Sequence, residues 1–281
     1  MLSYRHGFHA GNWADPHKHA ALALLLSHLR AKDKPFCVID AYAGDGIYDL
    51  TGGEALKTGE FRDGIGKIWR RTDAPAGVDW YLDQVRAASP GGMLATYPGS
   101  PALIRAALRP DDRLVLGELH PAAHAALRRW AGSDRRIAVH RRDALEMTHA
   151  LVPPPERRGL VFLDPPYEVK TEYEQVPAAI ARALGKWPDG IFAVWYPVLA
   201  EGREVALLDG LAALPAKAVL QSELAPTRPP TRMRAAGMVV VNPPWQFETA
   251  LKTAAEWLAD ALFGAEGCCH RMKWLRHSGT A

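Results

Sequence analysis

Leu160-Val161-Phe162-Leu163 is a short apolar run that ends abruptly on Asp164-Pro165-Pro166-Tyr167. The run is long enough to finish a buried strand. A proline after the acid imposes an extended conformation on Asp164, and two prolines in succession stop the strand and withhold two N–H donors. The outcome is a rigid turn that holds a carboxylate, a free main-chain carbonyl and an aromatic ring at a strand tip. Alone, it reads either as a strand-ending turn or as a polar grip on a hydrogen-bond donor. The rest of the chain decides which.

A second compact apolar strand, Phe36-Cys37-Val38-Ile39-Asp40, runs straight into Ala41-Tyr42-Ala43-Gly44-Asp45-Gly46. Small residues and two glycines after a strand let the backbone approach a ligand closely. The loop is not G-x-G-x-x-G and lacks the Gly-Lys-Ser/Thr end of a P-loop, which disfavours nicotinamide and triphosphate binding. An acid followed by x-x-x-Gly-x-Gly resembles the S-adenosylmethionine loop of Rossmann-like methyltransferases. Asp-Pro-Pro-Tyr resembles the motif by which amino methyltransferases hold the exocyclic NH2 of adenine or cytosine. Read together, the two motifs place Asp40, Tyr42 and Gly44 against a cofactor.

Asp15-Pro16 reads as an N-cap and first helical proline, opening a mostly apolar helix that covers Ala20 to Leu29. Tyr97-Pro98-Gly99-Ser100-Pro101 reads as a turn in which Ser100 caps the helix from Ala102 to Leu108. Arg113 to Glu118 is the next strand, and Glu118 at its carboxyl end is where nucleotide folds place an acid for ribose hydroxyls. Pro121 opens a helix through Leu127 and Trp130. Arg135 to Ala144 reads as a strand and its turn, with Asp143 placed to meet a cofactor's adenine amino group or to cap the helix that follows. After the charged loop Glu168 to Glu174 come a helix, Val176 to Leu184, and a strand, Gly190 to Pro197, stopped by its proline. Ala216 to Leu224 and Gly237 to Val241 read as the last two strands. Asn242-Pro243-Pro244-Trp245 echoes the opening motif, but Asn cannot act as an ionised acceptor, so it reads as structural.

Strands separated singly by helices, with two close together at the end, give an α/β fold: a mostly parallel sheet with a C-terminal antiparallel hairpin. Residues 51–94 are too long for one crossover and read as a small helical insertion, leaving 1–50 and 95–281 as the main domain. The insertion carries Lys67-Ile68-Trp69-Arg70-Arg71, a pattern for nucleic-acid contact or for a solvated helical face. Arg228, Arg232 and Arg234 fall in a loop between the last two strands, where phosphates can be met. His6, His9, His17 and His19 do not match a chelate spacing and read as a cationic, hydrogen-bonding lip around a cofactor or phosphate. Cys37, Cys268 and Cys269 are odd in number and lack C-x-x-C, which argues for a reducing compartment and against zinc. The longest apolar stretch, Ala20 to Leu26, is too short to span a bilayer, and no signal peptide is apparent, so a cytoplasmic protein is expected. The net charge of +3 is compatible with a nucleic-acid partner without arguing for one.

Most of the chain then resembles one family. Leu2-Ser3-Tyr4-Arg5-His6, Phe8-His9-Ala10-Gly11-Asn12, Lys18-His19, Tyr97-Pro98-Gly99-Ser100-Pro101, Glu118-Leu119-His120-Pro121, Leu163-Asp164-Pro165-Pro166-Tyr167, Trp195-Tyr196-Pro197 and Asn242-Pro243-Pro244-Trp245 all look like the bacterial 23S rRNA (adenine-N6)-methyltransferases of the RlmJ family. The resemblance implies a Rossmann-like methyltransferase domain with a helical insertion. It also implies S-adenosylmethionine as donor and a single adenine of 23S rRNA as target; no metal is expected. A monomer is expected. Carried over motif by motif, His19, Ser100, Glu118, Asp143, Ala144 and Asp164 line the cofactor and acceptor site, with Tyr4, His6 and Lys18 near the substrate. The family's cofactor loop usually has His where this chain has Tyr42, and a small residue where it has Asp45. The expected chemistry stacks the target base on Tyr167, while the Asp164 carboxylate and the Pro165 carbonyl, or a neighbouring main-chain carbonyl, accept from its NH2. A DNA adenine-N6 or cytosine-N4 methyltransferase would use the same pocket, and a non-catalytic RNA-binding protein could keep the same fold.

Overall fold

The computed structural model describes residues 5–277. Its first helix, α1 (Asp15–Arg30), follows a 3-10 turn at His6–Phe8. The helix is started by Asn12, whose Oδ1 accepts from the Ala14 and Asp15 amides at 3.0 and 3.3 Å. Asp15 therefore does not cap the helix, contrary to the Asp-Pro signal; its side chain turns inward, as described below.

β1 (Cys37–Asp40) and β2 (Ile47–Asp49) precede three short helices, α2 (Gly53–Thr58), α3 (Ile65–Ile68) and α4 (Val78–Ala88). β3 (Thr96–Pro98) pairs antiparallel with β2, so the expected turn at Tyr97 is instead a strand. Then come α5 (Ser100–Ala107), β4 (Arg113–Gly117), α6 (Pro121–Ala131), β5 (Ile137–His140) and α7 (Ala144–Ala150). β6 (Gly159–Leu163), α8 (Glu172–Lys186), β7 (Ile191–Val198) and α9 (Glu204–Ala212) follow. The last elements are β8 (Ala218–Pro226), β9 (Ala235–Val241), α10 (Phe247–Phe263) and β10 (Cys268–His277).

Eight strands form one sheet in the order β10-β8-β9-β7-β6-β1-β4-β5. β7, β6, β1, β4 and β5 run parallel, whereas β9, β8 and β10 add on antiparallel. β1 and β6 are buried along their whole length and, apart from Asp40 at the tip of β1, are apolar, because helices cover both faces of a parallel sheet. The pleat divides them. Val38, Leu160 and Phe162 face the layer holding Leu22, Tyr81, Leu103 and Leu258. Ile39, Val161 and Leu163 face Met147, Ile180 and Leu207 on the other side.

Four further expectations change. Ser100 is the first residue of α5, and its hydroxyl points to Asp40 rather than back along the helix. α8 starts at Glu172, four residues before Val176. Pro197 does not stop β7. The Trp195 carbonyl points to the β6 side of β7, where it accepts from Tyr167, and Pro197 shares that side beyond the end of β6, where no ladder N–H is needed. Finally, β9 is not the last strand, because β10 pairs along the outside of β8. The basic run at 67–71 also turns inward in part. Lys67 donates to the Leu262 carbonyl at 2.9 Å, and the Arg71 guanidinium lies 5.4 Å from the Trp257 ring centre, so both grip α10.

Candidate active site at the sheet switch point

After β1 the chain moves outward to β4 and β5, then returns to the opposite side of β1 for β6. The crevice beyond the carboxyl ends of β1 and β6 is therefore the topological switch point, where open α/β sheets bind ligands. A cavity of about 520 Å³ occupies it. Its wall is made of strand tips: Ala41 to Asp45 after β1, Gly117 to His120 after β4, Arg142 to Leu145 around the start of α7, and Asp164 to Pro166 after β6. Lys18 and His19 of α1, and Ser100 of α5, close it.

Asp164 is held by a buried cation. Lys18 Nζ lies 2.6 Å from Asp164 Oδ2 and 2.7 Å from Asp15 Oδ1, and the Lys18 side chain is only 3% exposed. Burial would drive the ammonium to lose its proton, but the two carboxylates outweigh that and hold its pKa well above the ordinary value. Burial likewise opposes ionisation of Asp15, yet Lys18 and His6 keep its pKa well below the usual carboxylate range. Asp15 Oδ2 also accepts from the Gly11 amide at 2.7 Å and pairs with His6 Nε2 at 3.2 Å. Asp164 Oδ1 is left without a partner among the described residues. The Trp195 ring lies under the same ammonium, 5.7 Å from it.

The other half of the cavity is acidic. Ser100 Oγ donates to Asp40 Oδ2 at 2.7 Å, while Asp40 Oδ1 is buried with no partner. Burial lifts the Asp40 carboxyl to about 7 despite the Ser100 bond. Glu118 Oε2 accepts from the Gly44 amide at 3.1 Å and Oε1 from the His120 amide at 2.7 Å, which fixes the carboxylate and leaves each oxygen a lone pair. Burial raises its pKa. Gly44 has φ +64°, and a Cβ there would lie 2.3 Å from the Tyr48 hydroxyl, so this turn requires glycine. Asp143 Oδ1 caps α7 by accepting from the Glu146 amide at 2.8 Å, and Ala144 is the next wall residue. Tyr42 donates to Glu172 over a long 3.5 Å.

Of the residues singled out in the sequence, His6, Lys18, His19, Tyr42, Gly44, Ser100, Glu118, Asp143, Ala144, Asp164 and Pro165 share this one cavity. Asp40 stands behind Ser100 rather than in the wall. Tyr167 is also outside the wall. Its ring stacks on Tyr173 at 4.3 Å, its hydroxyl donates to the Trp195 carbonyl at 2.8 Å, and its backbone takes φ +51°. Tyr4 lies outside the described residues. The four histidines do not form one cationic lip: burial pushes both His17 and His19 down to about 3, so both are neutral near pH 7, whereas the hydrogen bond to Glu60 raises the pKa of His9. His17 faces away, toward Ser222 at 2.9 Å, and His9 pairs with Glu60 at 3.0 Å. Sequence reasoning missed Asp15 and Trp195 as parts of the site. Only the three-residue spacing of Asp15 and Lys18 hinted at the first. Among the described residues, no cluster of His, Cys, Asp or Glu is arranged to hold a metal ion, and no helix is long and apolar enough to cross a membrane.

The arrangement sets a carboxylate oxygen without a partner among the described residues beside an acidic half of the same cavity. A family model described as "Ribosomal RNA large subunit methyltransferase D, RlmJ" matches residues 33–276. A protein of Escherichia coli named Ribosomal RNA large subunit methyltransferase J is 40% identical over 277 residues, covering 98% of this chain and 99% of its own. Its namesake from Haemophilus influenzae is 40% identical over 278 residues, with coverage of 98% and 99%. A crystal structure of a Legionella pneumophila protein superposes with a TM-score of 0.87 at 34% identity, covering 94% of this chain and 98% of that one.

Proposed function

We propose that this chain, which belongs to the RlmJ family of ribosomal RNA large subunit methyltransferases, transfers a methyl group from S-adenosylmethionine to the exocyclic N6 of one adenine in 23S rRNA. The observation that carries the reading is Asp164. It stands at the switch point with Oδ2 fixed by Lys18 and Oδ1 unpaired, in the same cavity as the acidic cradle.

The residues fit the donor. S-adenosylmethionine supplies an electrophilic methyl group on a sulfonium. Asp40 acts through Ser100: the Ser100 hydroxyl donates back to it and is left to accept at the wall, where the ammonium of an amino-acid moiety suits it. Glu118, already oriented by two amides, accepts from ribose hydroxyls, and Asp143 with Ala144 lies beside the adenine. Tyr42, Gly44, His19 and Ser100 shape the amino-acid end.

The target adenine swings out of its stack into the cavity, as chemistry on a base requires. Asp164 Oδ1 and the Pro165 carbonyl accept the two N6 hydrogens. That nitrogen's lone pair is delocalised into the ring, and two acceptors draw it toward tetrahedral geometry and in line with the methyl group. Lys18 prevents the carboxylate from turning away. As the N–C bond forms, N6 sheds a proton, and Asp164 is the nearest base to receive it. Tyr167 anchors the turn through the Trp195 carbonyl and the Tyr173 ring, and so acts by positioning Asp164 and Pro165. His6 serves the substrate side of the cavity, and Tyr4 is assigned to substrate contact by the family resemblance alone. Residues 51–94 act as an inserted helical subdomain beside the RNA path. The protein works on rRNA as a cytoplasmic monomer without metal.

Replacing Asp164 with Ala tests the assignment. Methyl transfer to 23S rRNA is expected to fall by at least about 100-fold, the cost of losing alignment at a reacting centre. Calorimetry is expected to show S-adenosylhomocysteine still binding. Full activity in Asp164→Ala would contradict the role given to this carboxylate.

A further inference from the structure

A hydrogen-bond chain runs from the helical segment to the cavity wall. His19 Nδ1 on α1 lies 2.7 Å from the Tyr97 hydroxyl on β3, which lies 2.9 Å from the Tyr81 hydroxyl on α4. Both tyrosines are 0% exposed, so neither phenol hydrogen can turn to water. The Tyr81 hydroxyl has Tyr97 as its only partner among the described residues, and its hydrogen must go to the Tyr97 oxygen. The Tyr97 hydrogen then has one acceptor left, His19 Nδ1. Any other arrangement leaves a phenol hydrogen unpaired in a dry interior. A ring nitrogen that accepts carries no proton, so the neutral imidazole bears its hydrogen on Nε2. Burial keeps the ring neutral, and His19 is part of the cavity wall, where Nε2 has no partner among the described residues.

We propose that Tyr97 is a positioning residue that locks His19 as an Nε2–H donor facing the cavity, and that this N–H receives the carboxylate at the amino-acid end of the methyl donor. The second part rests on the donor reading given above; the first does not. The chemistry of the wall explains why the tautomer matters. Asp45, Glu118, Asp143 and Asp164 make it acidic, while Lys18 is committed to two carboxylates, Arg142 to Glu146 and the Ser100 hydroxyl to Asp40. An entering carboxylate therefore needs a donor that is not already taken. A His19 presenting a bare lone pair would repel it.

The test is nitrogen NMR of the full-length protein labelled in its histidines, with the His19 signals assigned by their loss in His19→Gln. The wild type is expected to show a protonated Nε2 and a bare Nδ1, and Tyr97→Phe to shift the ring toward the Nδ1–H form. Tyr81→Phe leaves the Tyr97 hydrogen on His19 and is expected to keep the wild-type tautomer, which controls for loss of a buried hydroxyl. In calorimetry, Tyr97→Phe is expected to weaken S-adenosylhomocysteine binding about tenfold, the value of one hydrogen bond. It should leave 5′-methylthioadenosine, which lacks the amino-acid end, unaffected. An Nδ1–H tautomer in the wild type overturns the proposal whether or not any variant folds. Equal weakening of both ligands in Tyr97→Phe also overturns it, by making Tyr97 a packing residue. If the wild type binds neither ligand, the donor reading fails instead, and the spectrum alone decides the tautomer.

Discussion

Lys18 is the residue on which the site's electrostatics turn. It neutralises Asp15, whose side chain is only 4% exposed, and at the same time orients Asp164. Removing one member of such a buried group leaves the other charge uncompensated, which typically costs about 3–5 kcal/mol. Lys18→Met is accordingly expected to lose that much stability in urea unfolding, in addition to losing methyl transfer. A variant as stable as the wild type would show that Asp15 does not depend on this cation. Asp164, Glu118 and Asp143 were legible in the sequence because each sits at a strand tip, and strand tips converge at the switch point of this fold. Asp15 was not legible. Asp-Pro at a helix start looks like a cap, and nothing local reveals that Asn12 takes the capping role or that a lysine one turn on needs the acid. Tyr167 was read as an open stacking platform, yet its ring meets Tyr173 from α8, a contact set by tertiary packing.

At the scale of the element, α1 shows how consecutive residues serve different partners. His17, Lys18 and His19 lie about 100° apart around the helix, so they reach β8, the β6 tip and β3 respectively. His17 and His19 have folded pKa values of about 3 against an ordinary 6.5. Between those values the unfolded chain binds more protons than the folded one, so stability falls as pH is lowered through 6.5. Asp40, raised to about 7, acts in the opposite sense, favouring the fold at low pH and losing that contribution as pH rises through 7. His17→Gln removes one of the two histidine contributions without touching the cavity. Its melting temperature is expected to depend less steeply on pH between 7 and 5 than that of the wild type, and equal slopes would contradict a buried neutral His17. Where elements were misread, the cause was long-range pairing. β10 carries no turn signal linking it to β8, because α10 intervenes and the strand returns over the sheet edge. Arg271, Lys273 and Arg276 along it are the charged residues that keep an edge strand from pairing further.

In the molecule as a whole, the parallel order of the central strands brings every functional loop to one end, and the hairpin between β8 and β9 turns at that same end. Its loop presents Arg228, Arg232 and Arg234, all exposed, and is tied to the N-terminal region by Trp13 Nε1 donating to Thr231 Oγ1 at 3.4 Å. With a net charge of only +3, nonspecific attraction for RNA has to come from such local patches. Replacing the three arginines with Ala is expected to weaken rRNA binding and lower the logarithmic salt slope by about 2, with S-adenosylhomocysteine affinity unchanged. An unchanged slope would place the RNA elsewhere. The α/β order and the antiparallel end were legible because strands and helices alternate along the chain, whereas the placement of the helical segment against α1 and α10 depends on contacts that no local pattern records. The role proposed for the Asp164 turn is to present N6 of an rRNA adenine to the methyl donor. It is tested most directly by incubating the protein with methyl-labelled S-adenosylmethionine and either 23S rRNA or duplex DNA, then digesting the product to nucleosides. Label is expected in N6-methyladenosine from a single site of the rRNA and none in the DNA; label in any other nucleoside, or in DNA at a comparable rate, would overturn the assignment.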